Sequence, residues 1–149
     1  MSLNDLQKTI DESITNASGF TRDLFEDNHA SAEQLQSFAN RDGTMVIATL
    51  DAGGGPHTAV VAAGCADGTF YIGVTPRTAL LGNLRRNPSV AFAIKDKVVG
   101  RGRVELAGKA GKVKHLAGEV SGILRGAIEQ DWNGYVYALR PSHVFAQAL

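Results

Sequence analysis

Apolar residues in the first forty positions recur at helical spacing. Leu3, Leu6, Ile10 and Ile14 stand three or four apart with polar residues between them, which predicts an amphipathic helix. Ser18-Gly19 interrupts the pattern, and Phe20, Leu24 and Phe25 begin a second, shorter one. Ser31 has the form of an N-cap, and Gln34, three residues on, can complete a capping box. Leu35 and Phe38 supply the apolar face of that third helix, and Asn40-Arg41-Asp42-Gly43 ends it.

From Thr44 the vocabulary changes to that of strands. Thr44 to Leu50 is short, β-branched and apolar, and it is bounded by Gly43 and by the turn signal Asp51-Ala52-Gly53-Gly54-Gly55-Pro56. His57 to Ala63 is therefore expected to return antiparallel. Asp67-Gly68 then turns the chain into a third strand, Thr69 to Val74. Three hairpin-linked strands in under forty residues point to a meander, not a parallel sheet.

Thr78 reads as the cap of a two-turn helix, Ala79 to Arg86, stopped by Asn87-Pro88. Ser89 to Ile94 and Val98 to Leu106 are two further strands, broken near Asp96 and kinked or bulged around Gly100 and Gly102. Lys112 to about Glu129 is expected to be one helix, although Gly118, Gly122 and Gly126 each weaken it by up to ~1 kcal/mol. Spaced four apart on one face, those glycines also permit close backbone packing. Trp132-Asn133-Gly134 reads as a loop, Tyr135 to Leu139 as a strand, Pro141 as a break and His143 to Ala146 as a final edge strand.

Six or seven short antiparallel strands with a helix after the third predict a small closed barrel, in which closure removes exposed edges. The fold class expected is mainly β with added helices (α+β). The first strand is apolar on both faces, which suits cover from the barrel interior on one side and from a helix or a second subunit on the other.

Composition narrows the class. The 149 residues make about one domain, and 44% hydrophobic with 20% charged residues exclude a disordered chain. No apolar run approaches the ~20 residues of a membrane span and no basic-then-apolar leader opens the chain, so no membrane association is expected. A single cysteine, Cys65, excludes an internal disulfide framework and fits a reducing, cytoplasmic setting. The zero net charge hides an asymmetry. Residues 1–42 hold eight acids and three bases, a net of −5, whereas residues 77–114 hold ten bases against Asp96 and Glu105, a net of +8. A basic middle in a neutral chain makes anion binding the first candidate activity.

The candidate chemistry follows from residue types. His29, His57, His115 and His143 lie far apart with no second ligand at metal spacing, so no metal site is expected. Cys65 has no assignable base and reads as buried and inert. Gly53-Gly54-Gly55 joins two strands and lacks the Lys-Ser/Thr ending of a phosphate loop, so it is a turn. The segment from Thr75 to Arg86 is more informative. A polar Thr-Pro-Arg-Thr loop leads into a helix N-terminus, where free N–H groups attract anions, and Arg77 adds a fork that matches a phosphate. The same features also describe an ordinary capped helix with solvated arginines.

The order Val46-Ile47-Ala48-Thr49-Leu50, Gly55-Pro56-His57, Gly68-Thr69-Phe70-Tyr71-Ile72 and Asn83-Leu84-Arg85-Arg86-Asn87-Pro88-Ser89-Val90 resembles the pyridoxamine 5′-phosphate oxidase-like split-barrel flavoproteins. Gly108-Lys109-Ala110 and Leu139-Arg140-Pro141-Ser142-His143-Val144 are similar to that family's closing strands. The resemblance covers residues 31–110 and 135–147. It implies a six-stranded split barrel (31–149) behind a helical N-terminal extension (1–30), and a homodimer holding FMN in grooves between subunits. It also implies that His57 to Val61 underlie the flavin, with main-chain groups of Thr58 and Val60 at its polar edge. Val74 and Thr75 would flank the ribityl chain, and Arg77 and Thr78 would hold the phosphate.

Two positions depart from the family pattern. A lysine that usually binds the phosphate is Leu80, and the basic residue that commonly begins the second strand is His57. The function implied is an FMN-dependent oxidoreductase of unknown small-molecule substrate, with the catalytic residues unassigned. His57 is the residue best suited to proton transfer. Arg101 and Arg103 share a strand face that either lines the partner's side of the groove or carries solvated edge charges. Arg85 and Arg86 are expected to be solvated or paired with acids of the N-terminal helices. The alternatives are a deazaflavin- or haem-binding relative of the same fold, or a non-catalytic ligand- or nucleic-acid-binding barrel. Nucleic acid is the weaker of these, because Phe92 is the lone aromatic residue in 77–114.

Overall fold

The computed structural model describes residues 1–149. Three helices come first: α1 (Leu3–Thr15), α2 (Gly19–Phe25) and α3 (Ala32–Asp42). The expected capping box at Ser31 is present, with the Ser31 hydroxyl accepting from the Gln34 N–H at 3.2 Å and the Gln34 side chain accepting from the Ser31 N–H at 2.9 Å. Leu6, Ile10 and Ile14 of α1 are buried in the same cluster as the barrel interior. The Ser13 hydroxyl accepts the Val144 N–H at 3.1 Å, so α1 is tied to the sheet by a buried polar bond as well as by apolar contact.

Six antiparallel strands follow: β1 (Thr44–Leu50), β2 (Pro56–Ala66), β3 (Thr69–Val74), β4 (Ser89–Ile94), β5 (Val98–Lys109) and β6 (Tyr135–Ala146). They close in the order β1-β2-β3-β6-β5-β4. Alternation along β1 turns Met45, Ile47 and Thr49 inward and leaves Val46 and Leu50 exposed, so the outer apolar face expected of this strand is uncovered within one chain. The β2–β3 turn is Asp67-Gly68, both with positive φ (49° and 80°), the backbone of a tight hairpin whose second position suits glycine. Helix α4 (Ala79–Arg86) is held from below by Asn83, whose amide donates to the buried Thr49 hydroxyl at 3.1 Å.

The structure corrects two expectations. The two closing strands are one: β6 runs unbroken from Tyr135 to Ala146. Pro141 is accommodated opposite Gly102, at a register shift that leaves Ser142 without an opposite residue, so the missing N–H falls at a bulge and not in the regular ladder. Residues 112–129 are not one helix. They form 3₁₀ turns at Ala110–Lys112 and Lys114–Gly118, then α5 (Gly122–Glu129). Ala110, Val113 and Leu116 are buried every third residue, the 3₁₀ period, and φ of +72° at Gly122 redirects the chain before α5. The glycine stripe does not pack as a stripe, since only Gly122 meets another backbone, Gly43 Cα, at 3.8 Å from its would-be Cβ. Arg85 and Arg86 are exposed and pair with no acid of the N-terminal helices, which is the solvated one of the two expected alternatives. Arg86 donates to Asn83 at 2.6 Å, and Arg85 lies over the Tyr135 ring.

A second, smaller core of Ala66, Ala110, Val113, Leu116, Val120, Leu124, Ile128 and Val136 packs residues 110–136 against the barrel wall. Asn40 joins the two cores. Its side chain accepts from the Cys65 N–H at 2.9 Å and donates to the Cys65 carbonyl at 2.8 Å, while its own carbonyl accepts the Ser121 hydroxyl at 2.6 Å.

Candidate ligand groove

The barrel is split beside β2. This strand pairs with β1 from Pro56 to Ala62, but with β3 only from Ala63 to Ala66. Residues 57–62 therefore have a strand neighbour on one side alone. The Ala63 N–H bonds the Gly43 carbonyl on the β1 side at 2.9 Å. Bonding direction alternates along an antiparallel strand, so the main-chain groups of Thr58, Val60 and Ala62 point the other way, to the free edge.

A groove of about 470 Å³ lies along that edge. Its floor is His57, Ala59, Val61 and Ala62. One end is formed by Thr75, Thr78 and Leu80, and the far wall by Ile123, Leu124, Ala127 and Trp132. The far wall is positioned by two close contacts. Trp132 packs over Gly73 and Gly134, and a Cβ at Gly134 would run into the indole ring, so only glycine lets the tryptophan stand there. The wall helix is fixed at its N-terminal end by the Ser121–Asn40 bond.

The groove is mostly apolar. Its polar side chains are His57, Thr75 and Thr78. The Thr78 hydroxyl is already engaged, donating to the Thr75 carbonyl at 2.8 Å and accepting from the Leu81 N–H at 3.3 Å as the α4 cap. His57 Nδ1 is buried without a hydrogen-bond partner, an orphan that a ligand's polar edge can satisfy. Leu80 is 5% exposed and belongs to the main core, so the groove contains no cation.

Of the residues singled out by sequence, His57, Val60, Thr75 and Thr78 meet in the groove. Thr58 is exposed and contributes its main chain to the free edge. Val74 is fully buried in the main core, beneath the Thr75 end. Arg77, with φ of +61°, lines a separate concavity with Pro76, Leu81, Gly82, Arg85 and Tyr135, and Thr78 lines both hollows. The far wall was not among the sequence candidates. Its signal was the run of apolar residues at Leu116, Val120, Leu124 and Ile128, read there as one long helix. Tyr137 is a core residue, while Tyr135 is half-buried under Arg85.

Two other titratable groups have shifted pKa values near the site's supports. Burial pushes the Cys65 thiol up to about 12, which leaves it protonated and unreactive. Burial of Asp42 acts to raise its carboxyl, but hydrogen bonds from Thr44 and Lys95 outweigh that and hold it below the usual range.

The pyridoxamine 5′-phosphate oxidase family model matches residues 31–133, and the chain belongs to that family. No curated protein matches it. Among solved structures it is similar to a conserved hypothetical protein of Mycobacterium tuberculosis, at 19% identity and TM-score 0.62 over 81% of this chain and 87% of that one. It is similar to the haem storage protein HutZ of Vibrio cholerae, at 17% identity and TM-score 0.60 over 77% and 93%. It also resembles an FAD-binding protein of Mesorhizobium loti, at 16% identity and TM-score 0.56 over 78% and 91%. At such identities the likeness is one of fold. No helix of the present chain is long and apolar enough to cross a membrane.

Proposed function

We propose that the chain is an FMN-dependent oxidoreductase of a small-molecule substrate, acting as a homodimer. The observation that carries the reading is the free edge of β2 lying along an apolar groove. A flat heteroaromatic ring needs apolar cover on its faces and hydrogen-bonding groups at its rim, and the edge supplies the second beside the first. Thr58 and Val60 present main-chain groups to the ring, and His57 Nδ1 gains the partner it lacks. Thr75 and the main chain of Val74 flank the ribityl chain, and Thr78 and Arg77 receive the phosphate. When bound, FMN supplies the redox chemistry. The N–H groups of the β2 edge favour negative charge on a ring lying against them, and Ile123, Leu124, Ala127 and Trp132 keep water from one side of it.

The dimer reading rests on the outer sheet face. Register aligns Val60, Val46, Ala93, Val99 and Phe145 in one row across five strands. Val46 is 41%, Val60 71% and Val99 54% exposed, an apolar row of the kind that a second copy covers. Val60 lies on both this face and the groove, so a partner there would also close the groove's open side. The lone buried thiol suits the cytoplasm.

The test is the visible spectrum of the purified protein followed by titration with FMN. The expected outcome is a yellow protein or saturable FMN binding, with Arg77→Ala weakening it at least tenfold, ~1.4 kcal/mol. A colourless protein unchanged by FMN overturns the reading, and a Soret band on addition of haem would replace it.

A further inference from the structure

The second helix displays the apolar residues that the other helices bury. No residue of α2 is buried, and Phe20 and Leu24, four positions apart on one face, are 77% and 54% exposed. The helix is nonetheless held in place. The Ser18 hydroxyl caps it by accepting the Thr21 N–H, and His29 Nδ1 donates to the Phe25 carbonyl at 2.8 Å. The Phe25 ring packs on Phe145, with centroids 5.3 Å apart. Phe145 ends the apolar row that starts at Val60 and crosses five strands, so the apolar face of α2 adjoins that end of the row. The family match begins at residue 31, which makes α2 an addition to the common fold.

Charge identifies the cover as a second copy. Asp23 stands three positions after Phe20 and Asp27 three after Leu24, so carboxylates flank the exposed face, and neither enters an ion pair. On the sheet, Arg101 and Arg103 are exposed two and four residues along β5 from Val99 and have no carboxylate partner. Within one chain, the acidic residues 1–42 and the basic residues 77–114 meet in a single ion pair, Lys95–Asp42. Their complementarity is largely unused in a monomer, and a copy of the chain carries both halves of it. Symmetry then fixes the placement. A two-fold axis along the row would set α2 against its own copy, acid against acid. An axis along the strands through β4, the middle one of the five, sets β6 against the partner's β2. It also brings α2 to the open side of the partner's groove. The row curves with the barrel, so a partner seated on its middle draws away at both ends, and α2 fills that gap.

We propose that α2 of each copy closes the groove of the other, with Phe20 and Leu24 packed beside the partner's Val60. The proposal rests on the homodimer reading and adds that each groove is incomplete without the N-terminal extension of the second chain. The edge of β2 and the wall of α5 and Trp132 come from one copy, and the facing flank comes from the other. The extension thereby helps to decide which molecules enter.

The test compares the full-length wild type with F20S/L24S, which alters two exposed side chains and whose folding is checked by circular dichroism. Sedimentation velocity over a range of concentrations should show a wild-type dimer, and self-association at least tenfold weaker in the variant, ~1.4 kcal/mol. Trp132, the chain's one tryptophan, stands in the groove wall, so its fluorescence reports closure with no ligand present. At concentrations where both proteins are dimers, F20S/L24S should lose the wild type's protection of Trp132 from acrylamide. Position is read with a short bismaleimide on single-cysteine variants, against which the buried Cys65 does not compete. A mixture of L24C and V60C chains should yield crosslinked dimers, and neither chain alone should. A wild type that stays monomeric removes the dimer reading and the proposal together. A dimer that F20S/L24S forms equally well, with Trp132 equally shielded, overturns the proposal and leaves the dimer standing. Crosslinking of L24C to L24C would set α2 against its own copy and overturn it as well.

Discussion

The barrel interior and the small core beneath residues 110–136 follow different rules. The interior gathers 27 buried residues from all six strands and from α1, α3 and α4. Its side chains are placed by pairing: once Ile47 lies opposite Ala59 and Phe92, alternation decides which neighbours face inward. The smaller core has eight buried residues, four of them on 3₁₀ turns and one short helix, and only Ala66 and Val136 come from strands. No ladder places the rest, so their position depends on a few contacts such as Asn40–Ser121 and Trp132 over Gly134. The first region makes the fold, and the second builds a wall of the groove.

Substitutions that treat the two regions differently would sharpen this contrast. Phe70 is fully buried and tilted against Phe92 at 5.5 Å between centroids. Phe70→Ala should cost about 3–5 kcal/mol. In urea unfolding, every probe should then shift together to a lower midpoint. Ile128→Ala, in the smaller core, should cost about 2 kcal/mol, the low end for such truncations, because the surrounding turns can collapse into the gap. Its hydrogen-exchange signature should be loss of protection confined to residues 110–134. Equal loss across β1 and β4 would break the two-region picture. Asn40→Ala removes the partners of both Cys65 main-chain groups at the junction and should cost about 1–3 kcal/mol. The Ser121 hydroxyl bonds the Asn40 main-chain carbonyl, which alanine keeps, so the loosening should centre on β2 around Cys65, and an effect on α5 alone would break this assignment.

The smallest expected effect comes from Asp42, at the end of α3. Its carboxyl accepts the Thr44 hydroxyl at 2.9 Å and pairs with Lys95 at 3.2 Å. The folded pKa is depressed, so the stabilisation is full above the ordinary carboxylate value of about 3.9 and is lost as pH falls through the folded value. Wild-type stability should fall between about pH 5 and pH 3 more steeply than that of Asp42→Asn. Parallel curves for the two proteins would remove Asp42 from the acid response.

Much of the large core was legible because its cues are local. The Ser31 capping box, the Asp67-Gly68 turn and the Thr78 cap each involve residues within four positions, and each is present. The groove was legible where it is made from the ends of neighbouring elements, so His57, Thr75 and Thr78 were within reach. Its far wall was not. The same spacing of apolar residues serves one long helix or two 3₁₀ turns followed by a short one, and the choice is made by φ at Gly122 and by what lies beneath. Arg85 and Lys109 both lie over the Tyr135 ring, a meeting of distant positions that the β5–β6 and β3–β6 registers create. Pro141 misled for a related reason, since its cost vanishes only when Gly102 is known to be its partner.

The unpaired run of β2 has one consequence beyond recognition. A strand with open main-chain donors and acceptors is a template on which another chain can assemble, and proteins generally blunt such edges. Here the edge lies at the bottom of a trench, screened on one side by α5 and Trp132 and left open on the other. A molecule seated in the trench acts as the missing seventh neighbour of the sheet. Loading by the proposed ligand would then protect the edge as well. By mass action, whatever occupies the rail depletes the form of the protein that can add a foreign strand. Newly made, unloaded chains are the ones that should aggregate first.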